Sequence, residues 1–285
     1  MIKFVRKLTL AHGPVLVLGG TGKTGRRIVQ RLKAKGVDTR IGSRAASPAF
    51  DWDDMSTWDA ALEGVKAVYI SYTPDLAVPG AKEVVWSFTE AAKRHGVTRL
   101  VLLSGRGEEE AEASERIVQE SGLDWTIVRA SWFNQNFSEG EFINMVLSGE
   151  ITLPAGSVPE PFVDADDIAD VAVAALTEPG HSGELYEVTG PRLLTFNEVA
   201  LELSYATGRQ ITYVPIPHDA FVDGLRQSGA PDGMVWLLDY LFSTVLDGRN
   251  ASLHDGVERA LGRPPKDFSE FAREVAATGL WREVA

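Results

Sequence analysis

Along the first 130 positions the apolar residues come in two rhythms. Short runs such as Val15-Leu16-Val17-Leu18 and Val101-Leu102-Leu103 show no alternation with polar residues, the pattern of strands covered on both faces. Between them lie longer stretches whose apolar positions recur at helical spacing. This predicts strands at 15–18, 39–41, 67–70, 100–103 and 125–128, with helices over 24–35, 79–95 and 109–121. Such alternation implies a parallel sheet with helices on both faces.

Beyond about residue 130 the rhythm changes to proline-containing loops and shorter helices. An acidic start followed by apolar residues at helical spacing predicts a helix within 161–176, and Gly-Glu-Leu-Tyr-Glu-Val-Thr-Gly at 183–190 predicts a strand returning after it. Thr195-Phe196-Asn197-Glu198 has the form of a capping box, so a helix is expected to about residue 206. From Ile211 the chain reads as a mostly helical lobe. The expected class is α/β, a doubly wound parallel sheet of the Rossmann type with a smaller, mostly helical C-terminal lobe. The expected division is 14–150 for the sheet domain and 151–285 for the lobe, with roughly 160–190 returning to pack on the sheet.

The loop after the first strand, Gly19-Gly20-Thr21-Gly22-Lys23-Thr24-Gly25, admits two phosphate-binding readings. Gly22-Lys23-Thr24 would suit a nucleotide-hydrolysing P-loop, but the required glycine five positions before Gly22 is replaced by Val17, and the candidate strands end without a metal-holding aspartate. The dinucleotide reading fits in both registers: Gly20, Gly22 and Gly25 make G-x-G-x-x-G, and Gly19, Gly22 and Gly25 make G-x-x-G-x-x-G. The loop follows a strand and opens a helix, so a diphosphate would sit at the positive end of the helix dipole. At the end of the second strand stand Ser43 and Arg44, without the carboxylate that would accept from the ribose of NAD. A guanidinium and a hydroxyl suit a 2′-phosphate, so NADP(H) is the expected cofactor unless Arg44 is only a solvated surface residue. The expected contacts are Gly19, Thr21, Gly22, Lys23, Thr24, Gly25, Ser43, Arg44, Ser71, Tyr72, Ser104 and Gly105.

Composition narrows the remaining possibilities. With 285 residues, 44% hydrophobic and 24% charged, the chain is long enough for a large α/β domain with a smaller lobe. No apolar run approaches the roughly 18 residues of a membrane span. Residues 1–10 carry basic residues but only short apolar stretches, and read as an extension before the first strand rather than a secretory segment. The absence of cysteine excludes disulfides, thiolate metal sites and cysteine nucleophiles, and is compatible with the cytoplasm, the expected location. A net charge of −12 disfavours nucleic acid. The expected partner is a small organic substrate, with no nucleic acid and no membrane, for a monomer or homodimer.

No tyrosine is followed four residues later by lysine, so the proton relay common among carbonyl reductases of this architecture is absent. The five histidines never fall at metal-ligand spacing, and Ser104 lacks the context of a nucleophile elbow. Asp164, Asp166, Asp167 and Asp170 either stabilise a helix start or bind a cation. No metal is expected. Loops after the strand ends supply the substrate candidates Tyr72, Asp75, Trp132, Phe133 and Asn136. Trp132 and Phe133 form either an aromatic wall or part of the core under the lobe. Asp75 is either a cation partner or a turn residue.

The motifs Gly-Gly-Thr-Gly-Lys-Thr-Gly at 19–25 and Leu-Leu-Ser-Gly at 102–105, with the segments 121–137 and 161–176, resemble the NmrA-like branch of the atypical short-chain dehydrogenases. The segments 71–80, 102–112 and 186–196 more narrowly resemble bacterial relatives of the fungal ergot-alkaloid dehydrogenases. The resemblance spans about 15–246. It implies a Rossmann fold with a cleft against a small lobe, NADP at the glycine loop, and residues 131–136 facing nicotinamide and substrate. Some members reduce quinones, iminium ions or enones, while others are non-catalytic NAD(P) sensors. The expected function is therefore an NADPH-dependent oxidoreductase for a small organic acceptor, with a redox sensor as the alternative. An iminium acceptor would need no general acid, and a quinone would need little help, which fits the missing relay.

Overall fold

A computed structural model describes residues 13–140 and 142–282; the extension expected over residues 1–10 lies outside them. Six strands form one parallel sheet: β1 (Val15–Leu18), β2 (Thr39–Gly42), β3 (Ala67–Ile70), β4 (Arg99–Gly105), β5 (Asp124–Ala130) and β7 (Glu184–Val188), in the order β2-β1-β3-β4-β5-β7. The order reverses direction between β1 and β3, the switch point at which such sheets open a crevice beyond their strand ends.

The unalternating strands are explained by their burial. Val15 and Val17 pack with Ile28 and Leu32 on one face, while Leu16 and Leu18 pack with Trp58 and Phe88 on the other. The first layer comprises α1 (Lys23–Ala34) and α7 (Ala165–Thr177); the second comprises α2 (Trp58–Leu62), α3 (Ala81–Arg94) and α4 (Glu109–Gln119). Residues 256–261 also return to the first layer, as the helix α11 (Gly256–Leu261), where Val257 is fully buried beside β7.

The lobe has its own aromatic core. It is built from α5 (Asn136–Glu139), α6 (Ile143–Ser148), α8 (Phe196–Thr207), α9 (His218–Gln227), α10 (Asp232–Tyr240) and α12 (Phe268–Thr278). Phe137, Phe162, Phe196 and Phe268 meet edge-on or tilted at its centre, and Trp281 donates to the Phe137 carbonyl at 3.0 Å. The capping box at Thr195 and Glu198 is formed. The lobe also contains a parallel pair, β6 (Glu150–Leu153) with β8 (Thr212–Pro215), beyond the mostly helical expectation. Each partner is four residues long, too short for a period of two to stand out, and the pairing joins positions about 60 residues apart.

Candidate active site

The glycine loop is shaped by contacts that leave no room for side chains. Gly19 takes φ +63°, and its carbonyl accepts from the Gly22 N–H at 2.8 Å. A Cβ on Gly25 would lie 2.1 Å from the Gly19 carbonyl oxygen, and one on Gly20 would lie 2.9 Å from Ile41 Cγ2. These two glycines are thus required by packing. At Gly22 the nearest obstruction would be the Gly19 carbonyl oxygen at 3.3 Å, and the residue is exposed, so the backbone can be approached from outside. The helix α1 starts here with no side-chain cap and no acid in its first turn. An anion would complete such a helix end, and a diphosphate fits it. Val17 lies buried in mid-strand, which removes the P-loop reading.

Gly42, at the end of β2, pairs with Leu18, and its carbonyl accepts from the Gly19 N–H at 3.0 Å. Ser43 and Arg44 consequently leave the sheet beside the glycine loop. The Ser43 carbonyl holds the turn by accepting from Ala46 and Phe50. Arg44 is exposed, and among the described residues no hydrogen bond or ion pair engages it.

From the loop a cleft of about 450 Å³ runs past the ends of β3, β4 and β5 to the lobe. Gly19, Gly22, Lys23, Thr24, Ser71, Tyr72, Asp75, Ser104, Gly105, Trp132, Phe133 and Asn136 line it. Thr21, Gly25, Ser43 and Arg44 do not: Thr21 is at the exposed tip, Gly25 lies under the loop, and the other two sit at the sheet edge beyond the cavity. Lys23 Nζ reaches across to Asn136 Oδ1 at 2.9 Å, tying loop to lobe. Thr24 turns its hydroxyl inward, where it accepts from Tyr69 at 2.9 Å.

The segment after β5 is held from below. Gln135 donates to Asp164 at 2.9 Å and accepts from the Ala165 N–H at 2.7 Å, while the Asn134 N–H donates to the Val163 carbonyl at 2.9 Å. With its ends pinned to the start of α7, the segment presents Trp132, Phe133 and Asn136 to the cleft. Trp132 stacks on Phe142 at 6.2 Å and meets Phe242 edge-on at 5.1 Å, so it is at once a cleft wall and the upper layer of the lobe core. Phe133 packs against the sheet core in the same double role.

Ser104 is committed elsewhere: its hydroxyl donates to the buried Glu115 at 2.6 Å, and Glu115 in turn holds Arg129. Burial pushes the Tyr69 and Tyr72 phenols up. The four aspartates of 164–170 are spoken for by the fold. Asp164 caps α7, Asp166 and Asp170 pair with Arg31, and Asp167 and Asp170 pair with Arg263. Among the described residues no group of carboxylates and histidines is arranged to hold a metal ion.

The cleft has further walls that motif reading missed. Met234, Leu237 and Leu238 come from α10, and Leu241 and Val245 from its continuation, a π-helix over Leu241–Val245. A signal was present in 234–242, apolar at eight of nine positions and so around most of the helix rather than along one stripe. Asp75 and Glu108 stand in the cleft together. Glu108 precedes α4 and had no motif to mark it.

The chain matches the family described as NAD(P)H-binding over residues 19–179. It is 33% identical to the NAD(P)H azoreductase of Xenophilus azovorans, covering 92% of this chain and 98% of that one. It is 31% identical to the agroclavine dehydrogenase of Claviceps fusiformis, covering 94% and 99%. Its fold is that of the NADPH-dependent quinone oxidoreductase of Escherichia coli solved with NADPH, with a TM-score of 0.77 at 22% identity over 92% of this chain and 99% of the other. A glycine loop suited to an anion and relatives matched almost end to end lead to one assignment: the chain belongs to the NAD(P)H-binding family.

Proposed function

We propose that the protein is an NADPH-dependent reductase of a small, flat organic acceptor. The observation that carries this is the continuity of the cleft, which joins the uncapped start of α1 to a pocket walled by Tyr72, Trp132, Phe142, Leu237 and Leu241. NADPH, when bound, supplies a hydride, which carries two electrons. Backbone N–H groups at the start of α1 would receive the diphosphate, and Ser43 with Arg44 would receive the 2′-phosphate, favouring NADPH over NADH. Ser71, Ser104 and Gly105 border the route between loop and pocket. Trp132 and Tyr72 would clamp a planar acceptor, and the surrounding apolar side chains exclude water. Relatives named for azo and clavine reduction are consistent with acceptors of this shape.

A partner-binding sensor would be favoured by one contiguous exposed apolar patch. Of the exposed large apolar side chains, Trp86, Trp236 and Leu253 lie on separate segments, and Leu201 and Tyr205 share one face of α8.

The test follows NADPH absorbance with the purified protein against cyclic iminium salts, quinones and enones, with NADH and Arg44→Ala as controls. Turnover of one class, weakened about tenfold or more with NADPH by Arg44→Ala but little changed with NADH, is the expected result. Tight NADPH binding without turnover of any class would refute the reductase and leave a sensor.

A further inference from the structure

We propose that Asp75 and Glu108 share one proton at the wall of the cleft and deliver it to the acceptor, which is therefore a neutral molecule reduced at a heteroatom-bearing group such as a quinone or enone. This rests on the reductase reading above. It also replaces the proton relay that the tyrosines of this chain do not supply.

The geometry begins with two loops beyond adjacent strands. Asp75 follows β3 and accepts the Ala77 N–H at 2.8 Å, which orients its carboxyl. Glu108 follows β4 and is 7% exposed. Its carboxyl lies over Gly105, where a Cβ would be 2.2 Å from Oε1, so a side chain at 105 would push the carboxyl from this position. Among the described residues no N–H or O–H donor reaches Glu108 Oε2. What faces this carboxyl as hydrogen-bond partner is the carboxyl of Asp75. Two carboxylates offer only acceptors, so the contact exists as a hydrogen bond when one proton sits between them.

The surroundings keep that proton in place. Burial pushes both carboxyls up from the usual range, and Glu108 is pushed further by facing Asp75 and Glu115. From α10, Tyr240 also faces Glu108. The neighbouring cations are occupied: Arg106 pairs with Glu187 at 3.3 Å and donates to Ser131 and the Asn250 carbonyl, and Arg249 pairs with Asp247 at 2.9 Å while donating to the Gly107 carbonyl. Both members of the pair open on the same pocket as Trp132 and Leu237.

The step balances as follows for a quinone. The acceptor gains a hydride from NADPH, the new bond takes that electron pair, and the displaced π-pair collects on the acceptor oxygen. That oxygen takes the shared proton, so an O–H bond forms as the carboxyl O–H bond breaks, and the pair recovers its proton from water. A permanently cationic acceptor would instead expel the proton, because two bare carboxylates would bind it best.

The experiment pairs infrared spectroscopy of the protein without cofactor with kinetics. The wild-type minus Glu108→Gln difference spectrum at pH 7 is expected to show a protonated-carboxyl stretch that shifts in deuterium oxide. Both Glu108→Gln and Asp75→Asn are expected to lower kcat on a neutral quinone about 100-fold, and at least ten times more than on a cyclic iminium salt. NADPH titration of each variant checks that it is folded. Losses under threefold on the quinone, equal losses on both acceptors, or wild-type turnover of the iminium salt alone would each overturn proton delivery. A missing difference band with quinone turnover intact overturns the shared proton alone. Wild-type protein that binds NADPH and reduces neither acceptor overturns the reductase reading, and the delivery with it.

Discussion

Glu160 is a fully buried carboxyl with neither oxygen hydrogen-bonded among the described residues. It lies where the chain passes from lobe back to sheet, its backbone exchanging two 2.9 Å hydrogen bonds with Leu194. The attraction of Arg106 favours its charged form, but that guanidinium is already shared with Glu187 and its neighbours, and burial pushes Glu160 up to about 7. In the unfolded chain the same group titrates near 4.5. The folded state therefore binds this proton more tightly than the unfolded state, and stability falls as pH rises from about 4.5 to about 7. At 1.36 kcal/mol per pH unit the cost above pH 7 is on the order of 3 kcal/mol. Glu160→Gln, neutral throughout, removes that dependence. Urea unfolding of both proteins at pH 5, 6, 7 and 8 should give a difference that grows with pH, with the variant more stable by roughly 2–3 kcal/mol at pH 8. A difference that stays constant with pH, or a wild type more stable at pH 8, would refute the reasoning.

Gly25→Ala drives a methyl group into the Gly19 carbonyl, and should weaken NADPH binding at least tenfold in a fluorescence titration, because the loop must shift to make room. Arg129→Met strips the buried Glu115 of its guanidinium partner, leaving only Ser104 to hold it; thermal and urea unfolding should show a loss of about 3 kcal/mol or more. Asp267 caps α12 and pairs with Arg192, which holds its carboxyl down at about 2. The stability it contributes is present above pH 4 and lost as pH falls toward 2, so acid unfolding of Asp267→Asn should lack that part of the transition, by an amount reduced by solvent screening.

How much of the site was legible depended on the distance over which each part is specified. Gly20 and Gly25 are required by contacts within the loop and with the next strand, so a seven-residue motif carries them. Tyr72, Trp132 and Asn136 come together in one cleft because strand ends in a parallel sheet deliver their loops to one edge. Ser104 sits at that edge too, but Glu115 from the neighbouring helix, itself held by Arg129 from the neighbouring strand, takes up its hydroxyl. The aspartates at 164–170 looked equally suited to a cation or a helix start, and only the placement of Arg31 and Arg263 decided that their counter-ions are guanidinium groups.

The order of strands and helices, the parallel sheet and the glycine turn are written locally in this chain, because hydrophobic period and glycine placement act over a few residues. The meeting of Asp75 with Glu108, the closing of the cleft by α10 and the return of α11 beside β7 are not. They depend on which loops the sheet order makes neighbours and on one missing Cβ at Gly105. Burial then turns ordinary acidic residues into proton carriers, and burial is a property of the packed whole.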